Sequence, residues 1–175
     1  MSTQEYRVYL AGPEVFLPDA ADVVARMQQV CRDNGLTPVA PLDAGLDETA
    51  APAEPDATWI FDKNVTKIRG ADAVIANVNH FRGAEPDSGT CFELGFAHAL
   101  GKKLYVYSEG ATTVERVERF HGPVTPGERP TDPEGRFVED FGFAVNLMMA
   151  VPATNVAGSF ADAVRAVAAD LRGDA

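Results

Sequence analysis

Asp72-Ala-Val-Ile-Ala-Asn-Val78 is the stretch of sequence that decides the fold. This near-continuous apolar run is typical of a parallel strand that is covered on both faces. Strand-like runs alternate with helical patterns on either side of it, which predicts a parallel sheet joined by right-handed crossovers. The predicted strands are residues 6–10, 36–40, 72–78, 103–107 and 154–157, and the predicted main helices are residues 19–34, 58–70, 89–100 and 160–171.

The predicted architecture is an α/β fold with five parallel strands in the order 2-1-3-4-5 and helices on both faces. In this order the first and third strands flank the switch point, where open sheets bind ligands. We expect residues 1–175 to form a single domain, since this length supports one sizeable core. Two segments lack periodicity. Residues 43–56 are interpreted as a mobile surface loop, and residues 121–136 as a lid or an assembly loop.

The composition limits the classes of partner. A net charge of −11 argues against a nucleic-acid or anionic-membrane surface, because both need clustered Lys and Arg side chains. It is compatible with a neutral nucleoside or sugar. Cys31 and Cys91 are the only cysteines and the histidines are isolated, so we expect no disulfide framework, no metal and no bound cofactor. No signal-like or membrane-spanning run stands out, so we expect a cytoplasmic protein.

The stretch Asp87-Ser-Gly-Thr-Cys-Phe-Glu93-Leu-Gly-Phe-Ala97 places two carboxylates at the start of a predicted helix, near the carboxyl ends of the strands. Asp72, a third acid, opens the preceding strand. Three carboxylates around one crevice indicate acid-assisted substitution at a carbon, with a nucleophile and a proton donor as in glycosidic bond cleavage. Glu93 near a helix N-terminus is favoured in its ionised form, which suits attack on an electrophilic sugar carbon.

Each of these acids also has a purely structural interpretation. Thr90-x-x-Glu93 matches a capping box, in which the Glu side chain satisfies a backbone N–H. Asp87 fits a helix N-cap. Asp72 fits a polar residue at the solvent-exposed end of a strand or in a turn. The residues alone leave both interpretations open for all three acids.

Aromatic and glycine residues near the same crevice complete the predicted site. Tyr9 ends the first strand, where it is either a core residue or a group that orients Glu93. Phe16 lies in a loop, where its ring is suited to stacking on a planar base. Gly89 lets a ligand approach the backbone closely. The residues predicted to line the substrate site are Gly12, Pro13, Phe16, Ser88 and Gly89.

Four motifs together resemble the nucleoside 2-deoxyribosyltransferase family, in the right order from Tyr6 to about Met149. The motifs are Tyr9-Leu-Ala-Gly-Pro13, Asp72-Ala-Val-Ile-Ala, Asp87-Ser-Gly-Thr-Cys-Phe-Glu93-Leu-Gly-Phe-Ala and Val138-Glu-Asp-Phe-Gly-Phe-Ala-Val-Asn146-Leu-Met148. The Asp-x-Gly-Thr-x-x-Glu-Leu-Gly pattern is fairly specific, whereas Gly-Pro alone is weak. The resemblance implies a flavodoxin-like fold and exchange of the base on a 2′-deoxyribonucleoside by double displacement.

The resemblance also implies roles for particular residues. Glu93 matches the nucleophile that forms a deoxyribosyl-enzyme intermediate, and Tyr9 matches a tyrosine that hydrogen-bonds it. Asp72 and Asp87 match acids that contact the base and sugar and help protonate the departing base. Phe16 matches the base-stacking position less closely. The residues that a neighbouring subunit inserts into the site are matched by Asn146 and Met148, which implies a homo-oligomer, at least a dimer.

The implied partners are small molecules, a 2′-deoxyribonucleoside and a free nucleobase. Two other functions fit the residues. One is a nucleoside or nucleotide N-glycosidase, although the loop Gly12–Phe16 offers an acid and no Ser, Arg or Gly cluster to cradle a phosphate. The other is a non-catalytic nucleoside-binding module, which would not need the ordered acids.

Overall fold

The computed structural model describes residues 5–41 and 55–173. Its centre is a sheet of five parallel strands in the order β2-β1-β3-β4-β5, which confirms the predicted order. The predicted surface loop at residues 43–56 lies almost entirely outside the described residues. The strands are β1 (Tyr6–Ala11), β2 (Leu36–Val39), β3 (Ala73–Asn77), β4 (Lys103–Ser108) and β5 (Thr154–Ala157).

Helices cover both faces of the sheet, as the sequence predicts. The α-helices are α1 (Ala20–Asp33), α2 (Ala57–Arg69), α3 (Ser88–Ala99), α4 (Thr113–His121), α5 (Leu147–Ala150) and α6 (Phe160–Arg172). Helices α1 and α6 pack on one face of the sheet, and α2 and α3 pack on the other. A short 3-10 helix, Pro13–Phe16, follows β1 directly.

The alternation of side chains along β1 divides the core into two layers. Val8 and Leu10 are buried on the side of α1 and α6, whereas Tyr9 and Ala11 are buried on the side of α2 and α3. Strand β3 is buried on both faces in the same way, which explains its near-continuous apolar sequence. The pleat therefore directs the Tyr9 side chain toward the helix that carries the acidic motif.

Helix α4 is absent from the sequence-based prediction. It begins with a capping box, in which Thr112 and Glu115 satisfy each other's backbone N–H groups. The buried Arg116 then donates a hydrogen bond of 2.7 Å to the carbonyl of Val78, which ties α4 to the end of β3. The Thr-x-x-Glu pattern is the signal by which this helix could have been found.

The segment between α4 and α5 is irregular, as its Pro and Gly content predicts. Isolated bridges join Thr125 to Thr131 and Thr131 to Phe137. Its function as a lid or an assembly loop stays a prediction. Within the described ranges, no helix is long and apolar enough to cross a membrane.

Candidate active site

A cavity of about 420 Å³ lies where the loop after β1, helix α2 and the start of α3 meet. This is the carboxyl edge of the sheet beside the switch point between β1 and β3. The predicted site residues that line it are Gly12, Phe16, Asp87, Gly89 and Glu93. The other described residues in its wall are Val15, Pro41, Pro55, Trp59, Ile60, Lys63 and Asn64.

Glu93 is held against the sheet by a residue from another element. The Tyr9 hydroxyl donates a hydrogen bond of 2.5 Å to Glu93 Oε1. Tyr9 is fully buried, so its ring is fixed by the core and in turn fixes the carboxylate. The capping-box interpretation of Glu93 is wrong, because Asp87 caps helix α3 and Glu93 bonds to β1. Since Tyr9 engages Oε1, the second oxygen, Oε2, is left for a ligand.

The surroundings of Glu93 change its acidity. The pKa of Glu93 is raised to about 7: burial has the largest effect and raises it, the hydrogen bond from Tyr9 lowers it, and the negative charge of Asp87 raises it. Burial and the neighbouring Glu93 carboxylate hold the pKa of the Tyr9 phenol far above its ordinary value. Tyr9 is therefore a permanent hydrogen-bond donor, and Glu93 changes its protonation state near neutral pH.

Asp87 has two functions in the structure. Its Oδ2 accepts hydrogen bonds from the Thr90 backbone N–H at 3.0 Å and from the Thr90 hydroxyl at 3.2 Å, so it is the N-cap of α3. Asp87 also lines the cavity together with Glu93. Both bonds to Thr90 use Oδ2, which leaves Oδ1 for a ligand. The structural and the functional interpretations of Asp87 are thus compatible.

The loop after β1 is tied to the edge of the sheet by Glu14. Glu14 Oε1 accepts a hydrogen bond of 2.6 Å from the Asn77 side chain and one of 3.0 Å from the Tyr107 hydroxyl. A Cβ atom on Gly12 would lie 2.0 Å from Glu14 Oε2 and 3.0 Å from Asn77 Cβ, so a side chain at position 12 would displace Glu14 from these hydrogen bonds. These contacts place the turn Pro13–Phe16 over the cavity.

Phe16 is held in a stack at the rim of the cavity. Its ring is stacked on Phe81 with 5.3 Å between the ring centroids, and the Arg82 guanidinium lies 5.4 Å from its centroid. Phe16 nevertheless remains 55% exposed, so much of its surface is free for a ligand. Pro13 and Ser88 were also predicted to line the substrate site. Pro13 begins the 3-10 helix and Ser88 is exposed at the start of α3. Neither is among the described lining residues of the cavity.

Asp72 lies at the opposite edge of the sheet. It precedes β3, is exposed, and accepts a hydrogen bond of 2.8 Å from the Arg7 backbone N–H. A residue just before a parallel strand lies at the amino edge, whereas the cavity lies at the carboxyl edge. The structure therefore does not bring Asp72 together with Glu93, and the expected group of three carboxylates is corrected to two.

Asn146 and Met148 lie outside the Glu93 cavity of their own chain. Asn146 caps the short helix α5 and donates a hydrogen bond of 2.8 Å to Glu139 Oε1. It lines a second cavity of about 390 Å³, which also includes His121. Met148 is 76% exposed. Their predicted contribution to a neighbour's site stays a prediction.

Helix α2 contributes a wall that the sequence did not assign to the site. Trp59 and Ile60 lie one helical turn before Lys63 and Asn64, and all four line the cavity, whereas Ile68 further along α2 is buried in the core. Their spacing was visible, but it matches a core-facing stripe equally well. Across the described residues, no group of three or more His, Cys, Asp and Glu side chains is placed to hold a metal ion.

The chain belongs to the nucleoside 2-deoxyribosyltransferase family, whose model matches residues 8–148. The solved 2-desoxiribosyltransferase from Leishmania mexicana is 32% identical to it, with a TM-score of 0.73. That match covers 93% of this chain and 97% of the Leishmania chain. The family indicates an enzyme of nucleoside metabolism, with nucleosides and nucleobases as small-molecule substrates.

Two further similarities extend the comparison. The uncharacterized protein C191.05c of Schizosaccharomyces pombe is 31% identical over 156 residues, which is 81% of this chain and 74% of the yeast protein. The structure of a conserved protein from Enterococcus faecalis V583 covers 98% of this chain and 100% of its own, at 15% identity and a TM-score of 0.58. The second similarity is one of fold alone.

Proposed function

We propose that this chain is a transferase that exchanges the base of 2′-deoxyribonucleosides through a covalent deoxyribosyl intermediate on Glu93. The observation that carries the proposal is the 2.5 Å hydrogen bond from the buried Tyr9 to a Glu93 carboxylate in the cavity wall. The cavity volume of about 420 Å³ lies within the usual range for small-molecule sites. A non-catalytic binding module would have no need of a carboxylate fixed in this way.

In the first half-reaction, Glu93 Oε2 attacks C1′ of the sugar. The C1′–N bond breaks, and its electron pair moves to the base nitrogen. Tyr9 holds the other oxygen of Glu93, so the attacking oxygen is oriented before the substrate arrives. The product is a deoxyribosyl ester of Glu93 with inverted configuration at C1′.

Asp87 supplies the proton that the departing base needs: the pair of Asp87 and Glu93 carries one proton in the reactive form, which lies on Asp87 while Glu93 is ionised, and this proton passes to the base nitrogen. It lines the same cavity as Glu93 and has one oxygen that the helix cap does not use. In the second half-reaction an incoming base attacks C1′ and gives a proton to Asp87, and the ester bond to Glu93 breaks. Two inversions give net retention at C1′.

Transfer requires that the incoming base reach the intermediate before water does. We propose that a second copy of the chain helps to exclude water by presenting Asn146 and Met148 to the cavity. Met148 and Val151 lie one helical turn apart and are both highly exposed, which supports this proposal, since adjoining apolar side chains on the surface favour an interface. The Asn146 amide is held in place by Glu139, so it is ordered before assembly.

Product analysis separates transfer from hydrolysis on the same scaffold. The protein is incubated with a 2′-deoxynucleoside, with and without a free acceptor base, and the sugar products are quantified. The proposal predicts a new nucleoside in the presence of the base and slow release of free sugar in its absence. Free 2-deoxyribose that accumulates equally fast in both reactions would show an N-glycosidase instead.

A further inference from the structure

Phe16, Phe81 and Arg82 form a cluster of three side chains at the rim of the cavity. The ring centroids of Phe16 and Phe81 are 5.3 Å apart, and the planes of the two rings differ by 22°. The Arg82 guanidinium lies 5.4 Å from the centroid of Phe16 and 4.6 Å from that of Phe81, so each member contacts the other two. Among the described residues Arg82 forms no ion pair, so the two rings are what holds its guanidinium.

The backbone at Arg82 is strained. Its φ angle is 55°, and in the described part of the chain it is the one residue other than glycine with a positive φ. Such angles are uncommon for residues other than Gly, Asn, Asp and His, and they are costly unless the surrounding structure imposes them. Residues in such conformations cluster at functional sites. Arg82 is thus held in a costly conformation in contact with a residue of the cavity wall, Phe16.

The loop that carries Phe81 also leads to Asp87. It joins β3 to α3 at the carboxyl edge of the sheet. The Phe81 backbone N–H donates a hydrogen bond of 2.9 Å to the Glu85 carbonyl, and Pro86 is buried, so the loop is fixed just before Asp87. One fixed segment therefore holds Phe16, through the cluster, and also Asp87.

Phe16 remains available to a ligand although it belongs to the cluster. It lines the cavity together with Asp87 and Glu93, and 55% of it is exposed. The face of an aromatic ring suits stacking on a planar base. A ring that is already held in place loses little freedom when the base stacks on it, which favours binding.

We propose that Phe81 and Arg82 are positioning residues, which hold the Phe16 ring as the platform on which the nucleobase stacks. This inference rests on the proposed transferase function and adds the residues that place the base within reach of Asp87. Phe81 and Arg82 act through Phe16. Their loss should therefore weaken the binding of the base and leave the chemistry at C1′ largely intact.

The test compares the kinetics of base exchange in two variants. Phe81→Leu keeps an apolar side chain without the ring, and Arg82→Asn removes the guanidinium at a residue type that adopts a positive φ more readily. The donors are thymidine and 2′-deoxyadenosine, and the acceptors are adenine, hypoxanthine, cytosine and thymine. We expect each variant to raise KM for the acceptor bases that are used by at least about threefold and to change kcat by less than about twofold.

Two further variants are the controls. Phe81→Tyr keeps the ring and should retain the KM of the unaltered protein. Arg119→Asn makes the same substitution at another guanidinium beside a ring, 5.6 Å from the centroid of Phe120. Neither Arg119 nor Phe120 is among the described lining residues of the cavity, so this variant should leave KM and kcat unchanged.

A cluster that serves only the fold would give a different result. Its loss would lower the melting temperature and the fraction of active protein, and hence kcat, without changing KM. Relief of the strain at position 82 should instead leave the melting temperature of Arg82→Asn the same or higher. A change in KM below about threefold in either folded variant overturns the inference, and so does a failure of both variants to fold.

A binding measurement separates this inference from the function on which it rests. Isothermal titration calorimetry gives the dissociation constants of the four free bases without turnover. If no donor and base combination gives a new nucleoside, the transferase proposal has failed, and weaker binding in Phe81→Leu and Arg82→Asn still supports the platform. If base exchange occurs and both variants retain the KM values, only the further inference is overturned. A protein that neither exchanges nor binds these bases overturns both.

Discussion

The hydrogen bond between Tyr9 and Glu93 joins residues that lie 84 positions apart in the sequence. Burying a carboxylate beside the negative charge of Asp87 disfavours its ionised form, and the pKa of Glu93 rises to about 7. The Tyr9 hydroxyl acts in the opposite direction, because it stabilises the ionised form. Tyr9 thus decides how much of the nucleophile is ionised at neutral pH.

Replacing Tyr9 by Phe should move the pH dependence of the reaction. The acid limb of kcat/KM for the unaltered protein is expected near pH 7, where Glu93 ionises. Because the Tyr9 hydrogen bond lowers the pKa of Glu93, its loss should shift this limb to higher pH. We expect a loss of about tenfold or more in kcat/KM at pH 7 and a smaller loss well above that pH.

Tyr105→Phe provides the control for this measurement. The Tyr105 hydroxyl bonds to Asp170, and the Tyr105 side chain belongs to the core layer on the other face of the sheet. Its removal should leave the acid limb unchanged. An acid limb that stays in place in Tyr9→Phe as well would show that Tyr9 does not control the ionisation of Glu93.

The start of helix α3 combines a structural cap with a catalytic acid in one residue, Asp87. Asn is as good an N-cap as Asp, so Asp87→Asn should preserve the helix and change the melting temperature little. It cannot supply a proton, and base exchange should fall by about a hundredfold or more. Asp87→Ala should lose the cap as well, at a cost of about 1 kcal/mol in the free energy of unfolding.

These two variants are compared by thermal unfolding and by the rate of base exchange. Full activity in a well-folded Asp87→Asn protein would contradict the assignment of Asp87 as the proton donor. The Asn variant should also lower the pKa of Glu93, because the negative charge of Asp87 helps to raise it. The residual activity of the Asn variant should therefore show its acid limb at lower pH.

The strands and most helices could be predicted from the sequence because their patterns are local. The apolar run of β3 and the alternation along β1 depend only on which faces the sheet buries, so both strands could be recognised in the sequence. Whether Tyr9 packs in the core or orients Glu93 stayed open until the fold was known. Asp72 was placed in the site as a third acid near the crevice, and the resemblance then assigned it a role. Its position before β3 already set it at the amino edge, so the topology rule alone was enough to exclude it.

The wall formed by α2 could not be predicted in the same way. Trp59 and Ile60 have the spacing of a core-facing stripe, and nothing in that spacing distinguishes a cavity from a core. Contacts such as those of Glu14 with Asn77 and Tyr107 join three distant segments and depend on the folded geometry. The functional residues that the sequence missed are of this non-local kind.

At the scale of the whole molecule, the raised pKa of Glu93 makes the protein's stability depend on pH. A group whose folded pKa lies above its unfolded value is protonated more readily in the folded state. The stabilisation that comes from the more readily protonated Glu93 is fully present below about pH 4.5 and is lost as the pH rises through about 7. Ionised Glu93 should then cost about 2–3 kcal/mol of the free energy of unfolding.

Glu93→Gln removes this cost and keeps an acceptor for Tyr9. We expect the variant to melt at about the same temperature as the unaltered protein near pH 4.5 and several degrees higher near pH 8. Comparing the two proteins at each pH cancels the effect of the net charge of −11, which both nearly share. A melting-temperature difference that does not grow with pH would contradict the raised pKa.

Assembly can be tested by mixing two inactive variants. If Asn146 completes the cavity of a neighbour, Glu93→Gln and Asn146→Ala should each be inactive alone. When the subunits mix at random, about half of the dimers contain one subunit of each variant, and one of the two sites in such a dimer has both native residues. The mixture would then recover about a quarter of the activity. Glu93→Gln mixed with Asp87→Asn should recover nothing, because both residues belong to the same chain's cavity.

The central claim is that Glu93 bonds covalently to the sugar, and mass spectrometry tests it most directly. The protein is incubated with a 2′-deoxynucleoside without an acceptor base, quenched in acid, and digested. We predict a peptide that contains Glu93 and is heavier by one 2-deoxyribosyl group, and we predict that adding a free base removes this adduct. A protein that exchanges bases rapidly and never carries the sugar on Glu93 would contradict the account.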